Sequence, residues 1–284
     1  MDWTNRLEPL GVFPESTGTF ILQVDWRSGE RSGSSELDFE VRSVEDPLPV
    51  PTRIEIDGLR LWTPSAFEAR ALLDHKKKVQ KEIRSLVEPG DVIFDVGANI
   101  GFHASHFALA TGESGYVYCL EANPICVQML RANLVGQGLE NTEILPVALL
   151  HHSGVSSFTL NYGNTNLGVS EASGFAVQKP GHRIQVPCYA FDDLMREFDL
   201  REPDLIKLDV EGAEGYALEG MRECLEKKRP KLLIEVHGKF CAAAVFEQLE
   251  ALDYRFSDPA QGTEIRADEA SRTDRVFQLV ARPE

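Results

Sequence analysis

From residue 89 onward the sequence alternates apolar runs with segments of helical spacing, and this alternation limits the fold more than any other feature. Strands that alternate with helices form mostly parallel sheets covered on both faces. The sequence therefore predicts an α/β, doubly wound domain, with two short terminal strands closing one sheet edge. The expected strands lie at residues 92–96, 116–120, 143–150, 205–210, 232–236, 254–257 and 276–280.

The first 63 residues differ from this pattern and predict a small β-rich appendage. Residues 19–26 and 35–42 are β-rich runs joined by a loop that contains Gly and Ser. Residues 54–62 fold back through Asp57-Gly58, which is a strong signal for a short hairpin.

Residues 64–284 are expected to form the main domain. Its first part, residues 64–88, has a capping-box start and helical spacing, and predicts a helix linking the appendage to the sheet. Residues 153–187 are predicted to be an inserted β and loop segment. Within it, the polar residues 161–170 suit either a lid over a substrate or a solvated hairpin tip.

The charge balance is acidic, with a formal net charge of −16, so most of the surface would repel a phosphate backbone and a nucleic-acid partner is disfavoured. The five cysteines are odd in number and form no CxxC pair, and we interpret them as buried thiols. The sequence has no apolar run of about 18 residues, and a soluble cytoplasmic protein with no membrane span is expected. The oligomeric state is left open, a dimer through the N-terminal β segment being one option.

Residues 93–101, Ile-Phe-Asp-Val-Gly-Ala-Asn-Ile-Gly, lead from an apolar strand through a tight glycine turn into a helix. Gly97 and Gly101 are expected to let a ligand approach the backbone. A dinucleotide-binding turn reads G-x-G-x-x-G and points its helix at a pyrophosphate, and Ala98-Asn99 interrupts that pattern here. Asp95 places a carboxylate where a ligand ammonium is favoured, which fits the amino-acid end of S-adenosylmethionine.

Glu121 ends the second predicted strand, where doubly wound sheets commonly present an acidic residue to ribose hydroxyls. An ionised carboxylate can accept hydrogen bonds from both hydroxyls of an unphosphorylated ribose. Ala148 is expected to contribute its backbone near adenine, and Asp209 is expected to lie near the methyl group. The further cofactor-binding candidates are Ala98, Asn99, Ala122, Asn123, Ala148 and Asp209.

Four candidate catalytic residues lie at the carboxyl ends of two predicted strands, where such folds bind their ligands. Asp209 and Glu211 follow the fourth strand, and residues two apart in a strand point the same way. Glu235 and His237 repeat this spacing on the fifth. Glu214 lies in the first turn of the next helix, where an acidic residue also favours the helix dipole.

Methyl transfer to an alcohol needs in-line positioning and a general base. His237 and Asp209 are the candidate bases, with Glu235 expected to raise the pKa of His237. In an alternative version, Asp209, Glu211, Glu235 and His237 bind a divalent magnesium or manganese ion. The sequence shows no diagnostic ligand spacing, so no metal residue is assigned.

The chain resembles the FkbM-type family of class I S-adenosylmethionine-dependent methyltransferases over about residues 80–240. This resemblance implies a seven-stranded class I sheet and methyl transfer to oxygen, commonly a hydroxyl of a sugar or polyketide-type acceptor. The family often has Glu-Pro where this chain has Glu121-Ala122, which bears on the adenine-side wall. The matching segments are Asp-Val-Gly-Ala-Asn-Ile-Gly at 95–101, Glu-Ala-Asn-Pro at 121–124, Pro-Val-Ala-Leu at 146–149, Phe-Asp-Asp-Leu at 191–194, Ile-Lys-Leu-Asp-Val-Glu-Gly-Ala-Glu at 206–214 and Leu-Ile-Glu-Val-His at 233–237.

The sequence therefore predicts an S-adenosylmethionine-dependent O-methyltransferase with a small-molecule or sugar-containing acceptor. Three alternatives stay open at this point. They are an N-methyltransferase of protein or tRNA, a non-catalytic S-adenosylmethionine-binding module whose N-terminal part recognises a partner, and a nicotinamide dehydrogenase.

Overall fold

The computed structural model describes residues 18–28, 31–41, 52–56, 58–64, 72, 81, 85–160, 168–170, 182–270 and 275–284. The chain divides into two compact units, Met1–Leu48 and Pro49–Glu284. In the first unit, β1 (Gly18–Ser28) and β2 (Arg31–Val41) pair antiparallel along their whole length. This strand pair confirms the predicted β-rich appendage.

A second hairpin, β3 (Thr52–Ile56) and β4 (Leu59–Thr63), belongs to the larger unit. Alternate residues of β4 are buried, and Leu61 is 0% exposed. The Asn133 side chain accepts a hydrogen bond from the backbone N–H of Trp62 and donates one to its carbonyl. The boundary between the units thus precedes this hairpin and differs from the predicted boundary after residue 63, because the hairpin packs into the core of the main domain.

The larger unit is built on a seven-stranded sheet in the order β14-β15-β13-β12-β5-β6-β7, numbered along the chain. β15 runs antiparallel to both of its neighbours, and the other neighbouring pairs are parallel. The mostly parallel sheet and its two closing strands are confirmed. The strands are β5 (Val92–Val96), β6 (Tyr116–Leu120), β7 (Thr142–Leu145), β12 (Leu205–Leu208), β13 (Lys231–His237), β14 (Tyr254–Ser257) and β15 (Val276–Pro283).

Helices cover both faces of this sheet, because successive side chains of a strand point to opposite faces. In β5, Phe94 packs in one apolar cluster with Phe191, and Ile93 packs in another with Phe107. The doubly wound architecture is therefore confirmed. The helices are α1 (Phe102–Thr111), α2 (Pro124–Gly136), α3 (Phe191–Phe198), α4 (Glu214–Glu219), α5 (Arg222–Lys227), α6 (Gly238–Glu250) and α7 (Ala267–Ala270).

The third predicted strand, residues 143–150, is wrong as a single element. Pro146 has no N–H to continue the ladder, so β7 ends at Leu145 and the chain enters a separate four-stranded sheet. This second sheet has the order β10-β9-β11-β8. Its strands are β8 (Ala148–Leu149), β9 (Gly154–Leu160), β10 (Gly168–Ser170) and β11 (His182–Tyr189).

Two predicted features lie largely outside the described residues. Leu72, Lys81, Ser85 and Leu86 are helical, but most of the linking helix expected over residues 64–88 is not described. Residues 161–167 of the expected lid are also not described, whereas residues 168–170 form β10.

All five cysteines are free and buried, as predicted. In the described part of the chain, no helix combines the length and the apolar character needed to span a bilayer.

Candidate active site

The glycine turn between β5 and α1 is compact because other chain segments press against it. Gly97 has a φ of 75°, and a Cβ placed there would lie 1.8 Å from the carbonyl oxygen of Asp209. Gly101 has a φ of 88°, and its Cβ would lie 2.6 Å from Cδ1 of Leu130. Both glycines are thus required by backbone conformation and by packing. The filled space is the side on which a Cβ would lie, so the approach of a ligand to the backbone on the other side stays a prediction.

Asp95 and Lys207 form a buried ion pair behind this turn. Nζ of Lys207 lies 3.2 Å from Oδ1 of Asp95 and 3.4 Å from Oδ2 of Asp209, and it donates to the carbonyl of Gly97. Burial alone would lower the pKa of Lys207, but the two carboxylates raise it above its ordinary value. Asp95 is 0% exposed, so in this structure its carboxylate neutralises Lys207. Direct contact with a ligand ammonium, as expected from the sequence, would require this pair to open.

Glu121 lies at the carboxyl end of β6 beside the turn. Its Oε2 accepts from the backbone N–H of Asn99 at 2.8 Å, and its Oε1 accepts from that of Asn123 at 2.7 Å. Burial raises the pKa of Glu121 to about 7, although both backbone hydrogen bonds lower it. Each carboxylate oxygen has more than one acceptor position, so this group retains capacity for ligand hydroxyls.

The other candidate cofactor residues lie on the same side of the sheet but differ in role. Asn123 is 2% exposed and caps α2, with its Oδ1 accepting from the N–H of Ile125. Asn99 is exposed in the turn at a φ of 50°. Ala122 and Ala148 are half-buried, and Ala148 begins the short strand β8.

The loop after β12 brings Asp209 and Glu211 to the edge of the sheet, but by a different route from the one predicted. β12 ends at Leu208, and Glu211 has a φ of 53°. The argument that both residues share one side of a continuing strand is therefore wrong. A tight turn with left-handed conformations at Glu211 and Gly212 directs the loop toward β13 instead.

His237, the last residue of β13, lies between two carboxylates. Its Nδ1 is 2.9 Å from Oε1 of Glu214, and its Nε2 is 3.4 Å from Oε2 of Glu211. Burial by itself lowers the pKa of His237, but the hydrogen bond to Glu214 and the charges of Glu214, Glu211 and Asp209 raise it to about 9. Burial raises the pKa of Glu211 to about 7, although the charge of His237 lowers it. The neighbouring carboxylates therefore favour the protonated, cationic form of the His237 imidazole over the neutral form.

Glu235 has another partner. Its Oε2 accepts a hydrogen bond of 2.8 Å from Nε2 of Gln278, the residue opposite it on β15. The sequence identified Glu235 as the carboxylate beside His237, and this is corrected. Glu235 precedes His237 by two residues on β13, but Glu214 makes the hydrogen bond to the imidazole.

Asp209, Glu211 and His237 each offer a ligand atom, and these atoms lie within 4.8 Å of one another. A cation with ligand distances of roughly 2.0–2.6 Å could be shared by such a group. A metal ion would bind the neutral imidazole and would therefore compete with the proton that the neighbouring carboxylates favour on His237. Without a metal, the protonated imidazole itself supplies positive charge among the carboxylates.

Lys207 was not among the residues predicted from the sequence, and the role of Glu214 was left undecided. Lys207 is the one charged residue within the buried strand Leu205–Leu208, and that interruption of an apolar run was the available signal. Glu214 is 0% exposed although it lies at the start of a short helix. Its partner is 23 residues away on another strand, and sequence spacing does not reveal such a contact.

Comparison with known proteins identifies the family of this chain. The model of the methyltransferase FkbM domain matches residues 95–256, which is more than half of the chain and includes the glycine turn, the loop after β12 and His237. The chain belongs to the FkbM methyltransferase family, and its sheet is the seven-stranded class I methyltransferase sheet that the resemblance implied.

Three relatives are similar to this chain. The 2-O-methyltransferase NoeI of Sinorhizobium fredii is 30% identical over 54% of this chain and 66% of its own length. The hexuronic acid methyltransferase AglP of Haloferax volcanii is 26% identical over 56% of this chain and 62% of its own. The 31-O-demethyl-FK506 methyltransferase FkbM of Streptomyces tacrolimicus is 27% identical over 53% and 67%. The chain thus spans just under two thirds of the first two relatives.

Proposed function

We propose that this protein transfers a methyl group from S-adenosylmethionine to a hydroxyl of a small-molecule or sugar-containing acceptor. The observation that carries the proposal is the convergence of Asp209, Glu211 and His237 next to the glycine turn, at the carboxyl edge of the sheet. The names of two relatives support an oxygen acceptor and a sugar acid, since one is a 2-O-methyltransferase and the other a hexuronic acid methyltransferase.

The residues on the turn side fit S-adenosylmethionine. Each carboxylate oxygen of Glu121 accepts a hydrogen bond from one backbone N–H and retains a further acceptor position. The carboxylate can therefore also accept hydrogen bonds from the two ribose hydroxyls. Ala98, Asn99 and Ala122 would line the adenosyl part, with Ala148 near adenine. Asp95 would help to hold the turn in place through its ion pair with Lys207. It would contact the ligand ammonium only if this buried pair opens.

The donor supplies an electrophilic methyl group on a sulfonium, so the chain has to orient the acceptor and remove its proton. The acceptor oxygen forms a bond to the methyl carbon as the C–S bond breaks, sulfur keeps the electron pair, and the hydroxyl proton passes to a base. We assign this base to His237, whose imidazole is held in place by Glu214. Asp209 is paired with Lys207 and would orient the acceptor, as would Glu211.

Binding of the methyl donor would favour this role of His237. A positive charge beside an imidazolium favours its neutral form, so binding of the donor would lower the raised pKa of His237. The base would then become available when the donor is bound. Glu211, which lies 3.4 Å from Nε2, would exchange that contact for the acceptor hydroxyl.

The test is transfer of labelled methyl groups from S-adenosylmethionine to a panel of sugars, uronic acids and hydroxylated small molecules, with the methylated atom located by NMR. We expect an O-methyl product, and a loss of about 10²-fold or more in kcat for His237→Gln, the scale of general-base catalysis. Thermal-shift measurements should show stabilisation by S-adenosylhomocysteine but not by NAD. That stabilisation should weaken in Glu121→Ala and persist in the exposed control Glu140→Gln.

Three results would overturn the proposal. Label that enters only protein or RNA would favour the N-methyltransferase alternative. Cofactor binding without turnover on any acceptor would favour a binding module. Unchanged kcat in His237→Gln would remove His237 as the base.

A further inference from the structure

We propose that Glu214 is a positioning residue of the methyl-transfer site, which fixes the orientation and the tautomer of the His237 imidazole. The inference rests on the proposed function, because the tautomer matters for catalysis only if His237 receives the acceptor proton. Oε1 of Glu214 lies 2.9 Å from Nδ1 of His237, and Glu214 is 0% exposed.

The hydrogen bond between Glu214 and His237 determines which imidazole nitrogen can take up the acceptor proton. Oε1 of Glu214 accepts from two backbone N–H groups and therefore acts as an acceptor here, so Nδ1 carries the proton of the hydrogen bond to Glu214. In the neutral imidazole, Nε2 is then the one ring nitrogen with a free lone pair. Nε2 is also the nitrogen that faces Glu211, on the loop that bears Asp209. Glu214 thus directs the basic nitrogen toward the residues that would hold the acceptor.

The loop after β12 anchors Glu214 in turn. Oε1 of Glu214 also accepts hydrogen bonds from the backbone N–H of Gly212 at 3.0 Å and from that of Val210 at 3.4 Å. The left-handed conformations at Glu211 and Gly212 orient these N–H groups inward. One carboxylate therefore joins the loop that carries Asp209 and Glu211 to the imidazole at the end of β13, so that the acceptor-orienting groups and the base keep a fixed relation.

A purely structural role is the competing explanation, since the same carboxylate stabilises the loop through two backbone hydrogen bonds. The two explanations differ in one respect. If Glu214 acts through His237, its removal should matter only while His237 is present. If Glu214 only supports the loop, its removal should matter equally with or without the imidazole.

The experiment is a double-mutant cycle of Glu214→Gln and His237→Gln, with kcat and the KM for S-adenosylmethionine measured for each variant. We expect Glu214→Gln to lower kcat about 10²-fold in the wild-type background, because most of the general-base contribution is lost, with KM unchanged. In the His237→Gln background the same substitution should change kcat less than about twofold, because coupled residues are not additive. Glu219→Gln, at the exposed end of α4, is the matched control and should match wild type.

A second measurement does not depend on turnover. Nitrogen NMR of labelled histidine, above the raised pKa of about 9, should show His237 as the Nδ1–H tautomer in wild type and as a mixture in Glu214→Gln. If no acceptor is methylated at all, this spectrum still decides whether Glu214 sets the tautomer, so failure of the proposed function is recognised separately. An Nε2–H tautomer in wild type would overturn the inference. So would equal losses of kcat in both backgrounds, or a Glu214→Gln enzyme within twofold of wild type.

Discussion

Replacing Lys207 with methionine should destabilise the fold strongly, because it leaves the Asp95 carboxylate buried without a counter-charge. Asp95 is 0% exposed, and apart from the ion pair with Lys207 neither of its carboxylate oxygens has a hydrogen-bond partner among the described residues. Lys207 is 3% exposed and lies 3.2 Å from Asp95. Asp209, the second partner, has a side chain that is 26% exposed and can be solvated. The penalty should therefore come mainly from Asp95.

Breaking a buried ion pair by removing one partner costs about 3–5 kcal/mol, because the remaining charge is not compensated. For a domain of this size, each kcal/mol lowers Tm by about 2–4 °C, so Lys207→Met should lower Tm by about 6–20 °C. Urea unfolding followed by circular dichroism gives the free energy of unfolding directly. The loss should appear in the midpoint concentration with an unchanged slope.

Two further variants test whether the uncompensated charge of Asp95 causes the loss of stability. Asp95→Asn combined with Lys207→Met removes both charges and should recover most of the lost stability, since replacing a whole buried pair is often nearly neutral. Lys227→Met removes the cation of an exposed pair with Glu223, in which both side chains are about half exposed or more, and should lower the unfolding midpoint much less than Lys207→Met, because solvent screens exposed pairs. A Lys207→Met loss no larger than that of Lys227→Met would refute the argument, as would a double variant no more stable than the single one.

Three other predictions follow from the site. Gly97→Ala should lower the free energy of unfolding in urea by about 2–5 kcal/mol, because an alanine there combines left-handed strain with a clash against Asp209. The control Gly138→Ala has open space around it and should cost only about 1–2 kcal/mol, from the strain alone. Similar losses in both variants would contradict the clash. The kcat/KM of the wild-type enzyme should rise with pH up to about 9, because only neutral His237 accepts a proton, and His237→Gln should lack this rise. Activity should persist in a chelator, because the protonated imidazole opposes metal binding by the group with Asp209 and Glu211; loss of activity that Mg²⁺ or Mn²⁺ restores would show the opposite.

Local patterns were sufficient to predict most of the sheet. The strands β5 and β6 match their predicted bounds, because each is a continuous apolar run that ends at a turn. The prediction failed where one residue changed the hydrogen bonding, as at Pro146, which ends β7 and sends the chain into the second sheet. The hairpin of β3 and β4 forms where it was predicted, but sequence alone does not show which core its buried face will join.

For the site, the sequence predicted which residues lie at the carboxyl edge but not how they pair. Asp95 and Lys207 are neighbours because the register of β12 against β5 sets them side by side, and parallel register cannot be read from either strand separately. The partner of His237 is Glu214 rather than Glu235 because the loop after β12 leaves the strand geometry at Asp209. Contacts that depend on register or on left-handed loop residues are decided by tertiary structure.

Asp209 joins the two halves of the site. Its backbone N–H donates to the carbonyl of Val96, and its own carbonyl lies where a Cβ of Gly97 would be. Its side chain pairs with Lys207, which in turn holds Asp95 and the carbonyl of Gly97. The turn proposed to bind the cofactor and the loop proposed to hold the acceptor are therefore in contact at Asp209. A substitution that moves the turn must also move Asp209, so it should impair methyl transfer even where cofactor binding survives.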